Sequence, residues 1–194
     1  HITLINFKLR HICVFSINKL MKTNKNLVFL GMMGSGKTTS GSMISKKLRL
    51  DFVDIDKEIE IKVGMNITKI FEEKGEIFFR NLEERITLNK LTKKNIVISL
   101  GGGAFLNKSI RDEVLSSHVS FWLNWKNEAL ISRIKNSKKR PLITRLNSEE
   151  ILALMNNRSK FYSKSHHKIN CDNLKKSEIV NRIVKIYENE TIKS

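Results

Sequence analysis

The sequence predicts an α/β protein whose parallel sheet is covered by helices on both faces, and three observations predict it. From Leu27 onward, short apolar runs alternate with segments of helical period, as parallel strands require when each crossover is a helix. The first apolar run enters Gly31-Met32-Met33-Gly34-Ser35-Gly36-Lys37-Thr38. A glycine, four residues and then Gly-Lys-Thr is the spacing of a phosphate-binding loop set between strand and helix. Finally, 194 residues, 40% of them hydrophobic, suffice for one domain with a substantial core and are too few for two ordinary ones.

Residues 1–20 hold no acidic side chain and show no sustained period. Met21 is read as the start of a single domain over 21–194, with 1–20 an extension or, alternatively, a basic targeting segment. Strands are predicted at 27–30, 52–55, 96–100, 118–123 and 168–171. Helices are predicted at 37–48, 57–63, 67–74, 76–91, 108–116, 128–134, 149–162 and 178–187. The last has Ile179, Val180, Ile183, Val184 and Tyr187 on one face and Ser177 as N-cap. Ligands of such sheets bind at the carboxyl ends of the strands, so those ends are where chemistry is sought.

At the first of them, the backbone N–H groups of Gly34, Ser35 and Gly36 can turn inward around phosphate oxygens, in conformations that side chains would obstruct. Lys37 can place its charge on the outer phosphates, Thr38 can ligate magnesium, and Thr39 opens a helix whose N-terminus favours an anion. The second strand ends in Asp54-Ile55-Asp56, two acids at period two and therefore on one face. One could serve magnesium and the other a substrate hydroxyl; the alternative is a pair of solvated surface acids. Phe79, Leu82 and Ile86 recur as core, while Arg80 either serves a ligand or pairs with Glu76 or Glu84 on its own helix. The third strand runs into Gly101-Gly102-Gly103, an open backbone against which a ligand can lie.

Residues 135–147 are polar and basic and carry the single proline, Pro141, as a closing lid or a solvated connector. Arg158 could grip a carboxylate with its two-pronged donor geometry or complement a helix C-terminus. His166-His167 has no third ligand nearby, and Cys13 and Cys171 make neither a disulfide framework nor a metal-ligand spacing. A reducing compartment, the cytoplasm, follows from the cysteine usage. The net charge of +17 would suit nucleic acid, an anionic surface or small anions. Five of the 36 basic residues and none of the 19 acidic ones lie in residues 1–26, and the other 31 are scattered, so no nucleic-acid partner is expected. No apolar stretch reaches the ~20 residues of a membrane span, so no membrane partner is expected either.

Taken together, Gly31 to Thr38, Asp54-Ile55-Asp56, Glu76 with Phe79-Arg80 and Glu83, Gly101 to Gly103, Arg140-Pro141-Leu142 and Arg158 resemble the shikimate kinases, in order and spacing, over residues 27–187. The resemblance implies a P-loop three-layer αβα sandwich with a five-stranded sheet of order 2-3-1-4-5 and a short lid. It also implies transfer of the ATP γ-phosphoryl to the 3-hydroxyl of shikimate, a step of chorismate and aromatic amino-acid biosynthesis. Lys37, Asp56 and Arg140 would be catalytic. Asp56 would hold the substrate hydroxyls, Arg80 and Arg158 the carboxylate, and Gly101, Gly102 and Gly103 would line the ring. Gly34, Ser35, Gly36, Lys37, Thr38, Thr39 and Arg140 would bind ATP, with Mg2+ on Thr38 and Asp54 and Ser99 in its outer shell. The partners would be shikimate and ATP alone, with the protein a monomer.

Two departures stand out. Lys138 and Lys139 replace a further lid arginine, and the adenine-side segment 172–176 lacks the arginine and proline of many relatives. The alternatives are another small kinase acting on a polyol or sugar acid such as gluconate, or a non-catalytic relative.

Overall fold

The computed structural model describes residues 25–135 and 146–192. The extension at 1–20, Cys13, most of the lid at 135–147 and Arg140 lie outside the described residues. The elements are β1 (Leu27–Leu30), α1 (Lys37–Leu48), β2 (Asp51–Asp54), α2 (Ile55–Val63), α3 (Ile67–Leu91), β3 (Ile96–Ser99), a 3-10 turn (Ala104–Leu106), α4 (Lys108–Ser117), β4 (Val119–Asn124), α5 (Asn127–Lys135), α6 (Ser148–Tyr162), β5 (His167–Asn170) and α7 (Lys176–Ile192). The five strands pair in parallel in the order β2-β3-β1-β4-β5, as expected.

Strand alternation sorts the apolar side chains into two cores, one on each face. Val28, Leu30 and Ile98 join Phe105, Ile110 and Tyr162 on one side. Leu27, Phe29 and Phe121 join Ile44 of α1 and Ile179, Ile183 and Tyr187 of α7 on the other. Both cores are fully dry in the middle: Leu27, Val28, Phe29, Ile98 and Phe121 are all 0% exposed, which fixes the sheet and leaves its carboxyl edge to the loops.

At the opposite edge, buried Asn26 pins the strand starts. Its amide donates to the carbonyls of Leu91 and Lys93 at 3.3 and 2.7 Å and accepts from the Ile96 N–H at 3.1 Å. This one side chain thereby ties the end of α3 to the entries of β1 and β3.

Several boundaries move for physical reasons. β2 ends at Asp54 because that carboxylate accepts the Lys57 N–H and caps α2, so Asp56 belongs to the first helical turn and the period-two strand reading of the two acids is wrong. The break expected between 74 and 76 is real: Gly75 has φ 79° and ψ 170° within α3, a left-handed conformation that a side chain would resist. Ser177 lies inside α7, which starts at Lys176, and so does not cap it. Among the described residues, no helix is long and apolar enough to cross a membrane.

Candidate active site

The carboxyl ends of β1, β2 and β3 open onto two cavities that share a wall. The first, about 460 Å³, is lined by Gly34, Gly36, Lys37, Thr38, Thr39, Asp54 and Ser99. Here the loop turns through positive φ at Gly31, Gly34 and Gly36, the left-handed values that its glycines permit. The Lys37 ammonium lies across the loop, donating to the carbonyls of Gly31 and Met32 at 2.8 and 3.0 Å. The Thr38 hydroxyl donates to Asp54 Oδ2 at 2.6 Å. A hydroxyl and a carboxylate meeting at a nucleotide-phosphate cavity are the hard oxygen donors that Mg2+ accepts when phosphates complete its shell, so the donor set fits that ion.

The second cavity, about 310 Å³, is lined by Phe71, Phe79, Arg80, Glu83, Gly102, Gly103 and Arg158. Asp56 and Met33 line both cavities. The expected members therefore come together from five parts of the chain, and Asp56 stands where the two spaces meet.

Each of the three glycines after β3 makes room for charged side chains. A Cβ on Gly101 would run into Glu83 Oε1 and come within 2.9 Å of Asp56; one on Gly102 would lie 3.1 Å from an Arg158 nitrogen; one on Gly103 would lie 2.6 Å from an Arg80 nitrogen. Gly101, Gly102 and Gly103 thus act first as bare ground for the site's own ions. The Gly102 carbonyl also accepts a hydrogen bond from the Tyr162 hydroxyl.

Arg80 donates through Nη1 to Glu83 at 2.6 Å and through Nε to Glu76 at 3.2 Å, so its second partner is Glu83 rather than Glu84. Its guanidinium stands 5.1 Å from the Phe79 ring centroid and 6.0 Å from that of Phe71. Burial pushes the Glu83 carboxyl up, against the downward pull of Arg80, and the nearby charge of Asp56 adds to the rise. Arg158 is 9% exposed, and among its described contacts Nη1 approaches the sulfur of Met32 at 3.7 Å. It faces Tyr162, whose phenol burial pushes up to about 12 despite the Arg158 charge; that hydroxyl therefore stays neutral and serves as a donor.

Sequence reading did not single out Tyr162, Met32, Trp125 or Arg133. A third cavity beside the loop is lined by Trp125, Arg133, Leu174, Lys175 and Ser177. Trp125 donates to the Ser35 carbonyl at 2.9 Å and lies under the Arg133 guanidinium at 3.6 Å from its centroid. An aromatic directly after a buried strand was the available signal. His166 is taken up by Ser120 and the Leu115 carbonyl, and Cys171 is a buried thiol pushed up to about 12 by burial and by Asp172; neither belongs to the site.

A family model described as "Shikimate kinase" matches residues 33–188. The shikimate kinase of Bacillus subtilis is 39% identical over 166 residues, 82% of this chain and 87% of that protein. That of Persephonella marina is 38% identical over 160 residues, 82% and 97% of the two chains. The solved structure of the Acinetobacter baumannii shikimate kinase in complex with shikimate superposes with a TM-score of 0.82 at 29% identity, covering 89% of this chain and 97% of that one.

Proposed function

The chain belongs to the shikimate kinase family, and from that premise we propose that it phosphorylates the 3-hydroxyl of shikimate with ATP, giving shikimate 3-phosphate and ADP. The observation that carries the reading is the position of Asp56 in the wall common to both cavities, where a carboxylate can hold an acceptor hydroxyl against the outermost phosphate.

In this reading the acceptor cavity takes the ring. Arg158 and Arg80 bind its carboxylate with charge-assisted hydrogen bonds, and Phe71 and Phe79 cover an apolar face. The loop amides of Gly34, Ser35 and Gly36 and the N-terminal residues Thr38 and Thr39 bind the phosphates. Lys37 leaves the carbonyls of Gly31 and Met32 for the transferring group. Phosphoryl transfer asks for alignment and charge neutralisation rather than covalent help, and these residues supply both. Thr38 and Asp54, with Ser99 beyond them, would hold Mg2+, which when bound neutralises phosphate charge. Arg140 would arrive with the lid, and Arg140→Ala would then depress kcat far more than it raises the shikimate KM. The reading includes a monomer in the cytoplasm with residues 21–194 as its single domain.

The test is ADP release from ATP and Mg2+ with shikimate, and in parallel with gluconate and quinate. Release that depends on shikimate, and is lost in Asp56→Asn, bears the reading out. Release driven by gluconate instead would establish the sugar-acid alternative, and none with any acceptor the non-catalytic one.

A further inference from the structure

Of the cations at this site, Lys37 stands on the phosphate side and Arg158 on the carboxylate side, and a single residue touches both. The Met32 carbonyl accepts the Lys37 ammonium at 3.0 Å, and the Met32 thioether lies 3.7 Å from Arg158 Nη1 and 3.9 Å from the Tyr162 hydroxyl. Met32 is 3% exposed. It belongs to the phosphate loop by sequence and to the floor of the acceptor site by its side chain. Gly102, the other partner of the Tyr162 hydroxyl, lies against the same loop: a Cβ there would be 3.7 Å from Met33 N and 3.9 Å from Gly31 O.

We infer that Met32 is a positioning residue for the acceptor, its sulfur setting the guanidinium of Arg158 at the angle from which it receives a carboxylate. The inference rests on the reading of Arg158 as the carboxylate site. A carboxylate in this place would also orient Arg158, but it would neutralise the guanidinium and compete with the ligand for it. The sulfur is a weak, neutral acceptor and a polarisable packing surface. It directs the guanidinium without using up its charge, and the Nε of Arg158 is a buried donor with no partner among the described residues. A guanidinium whose charge is not neutralised by a protein carboxylate can still form charge-assisted hydrogen bonds to an incoming one. The phosphate loop thus contributes to acceptor recognition through a side chain, besides its backbone role toward nucleotide.

Met32→Leu keeps the volume and removes the acceptor. The shikimate KM is expected to rise about fivefold in this variant, with the ATP KM within twofold of wild type and kcat little changed. Met32→Gln, which restores an acceptor at similar reach, is expected to recover most of the loss. In the Arg158→Lys background, Met32→Leu should have almost no further effect on the shikimate KM, because residues acting through one another are not additive.

An equal rise in both KM values in Met32→Leu would mark a distorted loop and overturn the inference, as would additive effects in the double variant. An unchanged shikimate KM in Arg158→Lys alone would instead overturn the carboxylate reading on which the inference stands. A wild-type enzyme that shikimate does not stimulate would overturn the proposed function.

Discussion

The phosphate cavity and the acceptor cavity share a wall but are built in opposite ways. One is centred on a contiguous stretch: Gly31 to Thr38 bends around a space, and Asp54, Asp56 and Ser99 at the ends of β2 and β3 only complete its wall. The other is assembled from the start of α2, α3 on both sides of Gly75, the glycines after β3 and the end of α6, segments that only the order of the sheet brings together. A locally encoded site depends on backbone conformation, whereas an assembled one depends on side chains held by one another. The two should therefore fail differently.

The largest failure is expected on the phosphate side. Lys37→Met removes the one charge that the loop's own geometry delivers, and should lower kcat by about 10³-fold while the shikimate Kd, measured by calorimetry without nucleotide, stays near wild type. A comparable loss of shikimate affinity would show that the two sites are not separable in this way.

Next comes Arg158→Ala, which takes a buried guanidinium from the acceptor side. Charge-assisted hydrogen bonds to a ligand carboxylate support a rise in shikimate KM of about 10²-fold, with the ATP KM and kcat changing much less. Steady-state kinetics with each substrate varied in turn separates these outcomes. Loss confined to kcat would move Arg158 from binding to chemistry.

Gly103→Ala probes the assembled character directly. Its backbone has φ −103°, which any residue can adopt, so the substitution carries no left-handed strain. The new Cβ would lie 2.6 Å from an Arg80 nitrogen and must push that side chain aside. About a tenfold rise in shikimate KM with little change in thermal stability is expected; unfolding of the variant would show that the glycine is kept for the fold and not for Arg80.

The same contrast explains what could be read from the chain. The loop was legible because its spacing is its mechanism, and the sheet was legible because alternating apolar runs and helical periods leave few arrangements. The acids at 54 and 56 were found but given the wrong geometry, since a strand-end period of two looks identical to an N-cap followed by a helical residue until the Lys57 N–H is seen on Asp54. Of the two partners of Arg80, Glu76 was expected and Glu83 was not. Glu83 and Glu84 are both at helical reach, and Glu83 is selected by the bare backbone of Gly101, far away in sequence. No role was read for the side chains of Asn26, Met32 and Tyr162. Their side-chain contacts span 60 to 130 residues, and no local pattern announces a contact of that kind. The lid was read from its polar, basic composition and the role of Arg140 from resemblance, and Arg140 and most of the lid lie outside the described residues.

The smallest expected effect lies away from both cavities and tests whether the frame is independent of them. His118, which ends α4 ahead of β4, has 5% of its side chain exposed, and its Nδ1 accepts the Asn26 N–H at 3.3 Å. That bond requires Nδ1 to be unprotonated, placing the proton of the neutral ring on Nε2, 3.6 Å from Glu113. Burial holds the imidazole below its ordinary range, with Glu113 pulling the other way. A histidine whose folded pKa is depressed binds its proton more readily when unfolded, so its contribution is present above the ordinary imidazole range and is lost as pH falls through that range toward the folded value. Between neutral and mildly acidic pH, the wild-type Tm should therefore drop by on the order of 2 °C more than that of His118→Gln, while the shikimate and ATP KM values of the two proteins stay equal at neutral pH. Glu83 carries the opposite sign. Its raised carboxyl favours the folded state when protonated, and that advantage fades as pH rises through the folded value. A His118→Gln variant with an altered shikimate KM would mean that the Asn26 anchor, which ties β1 to β3, reaches the acceptor wall through Gly101 to Gly103, and the assembled site would then extend to the far edge of the sheet.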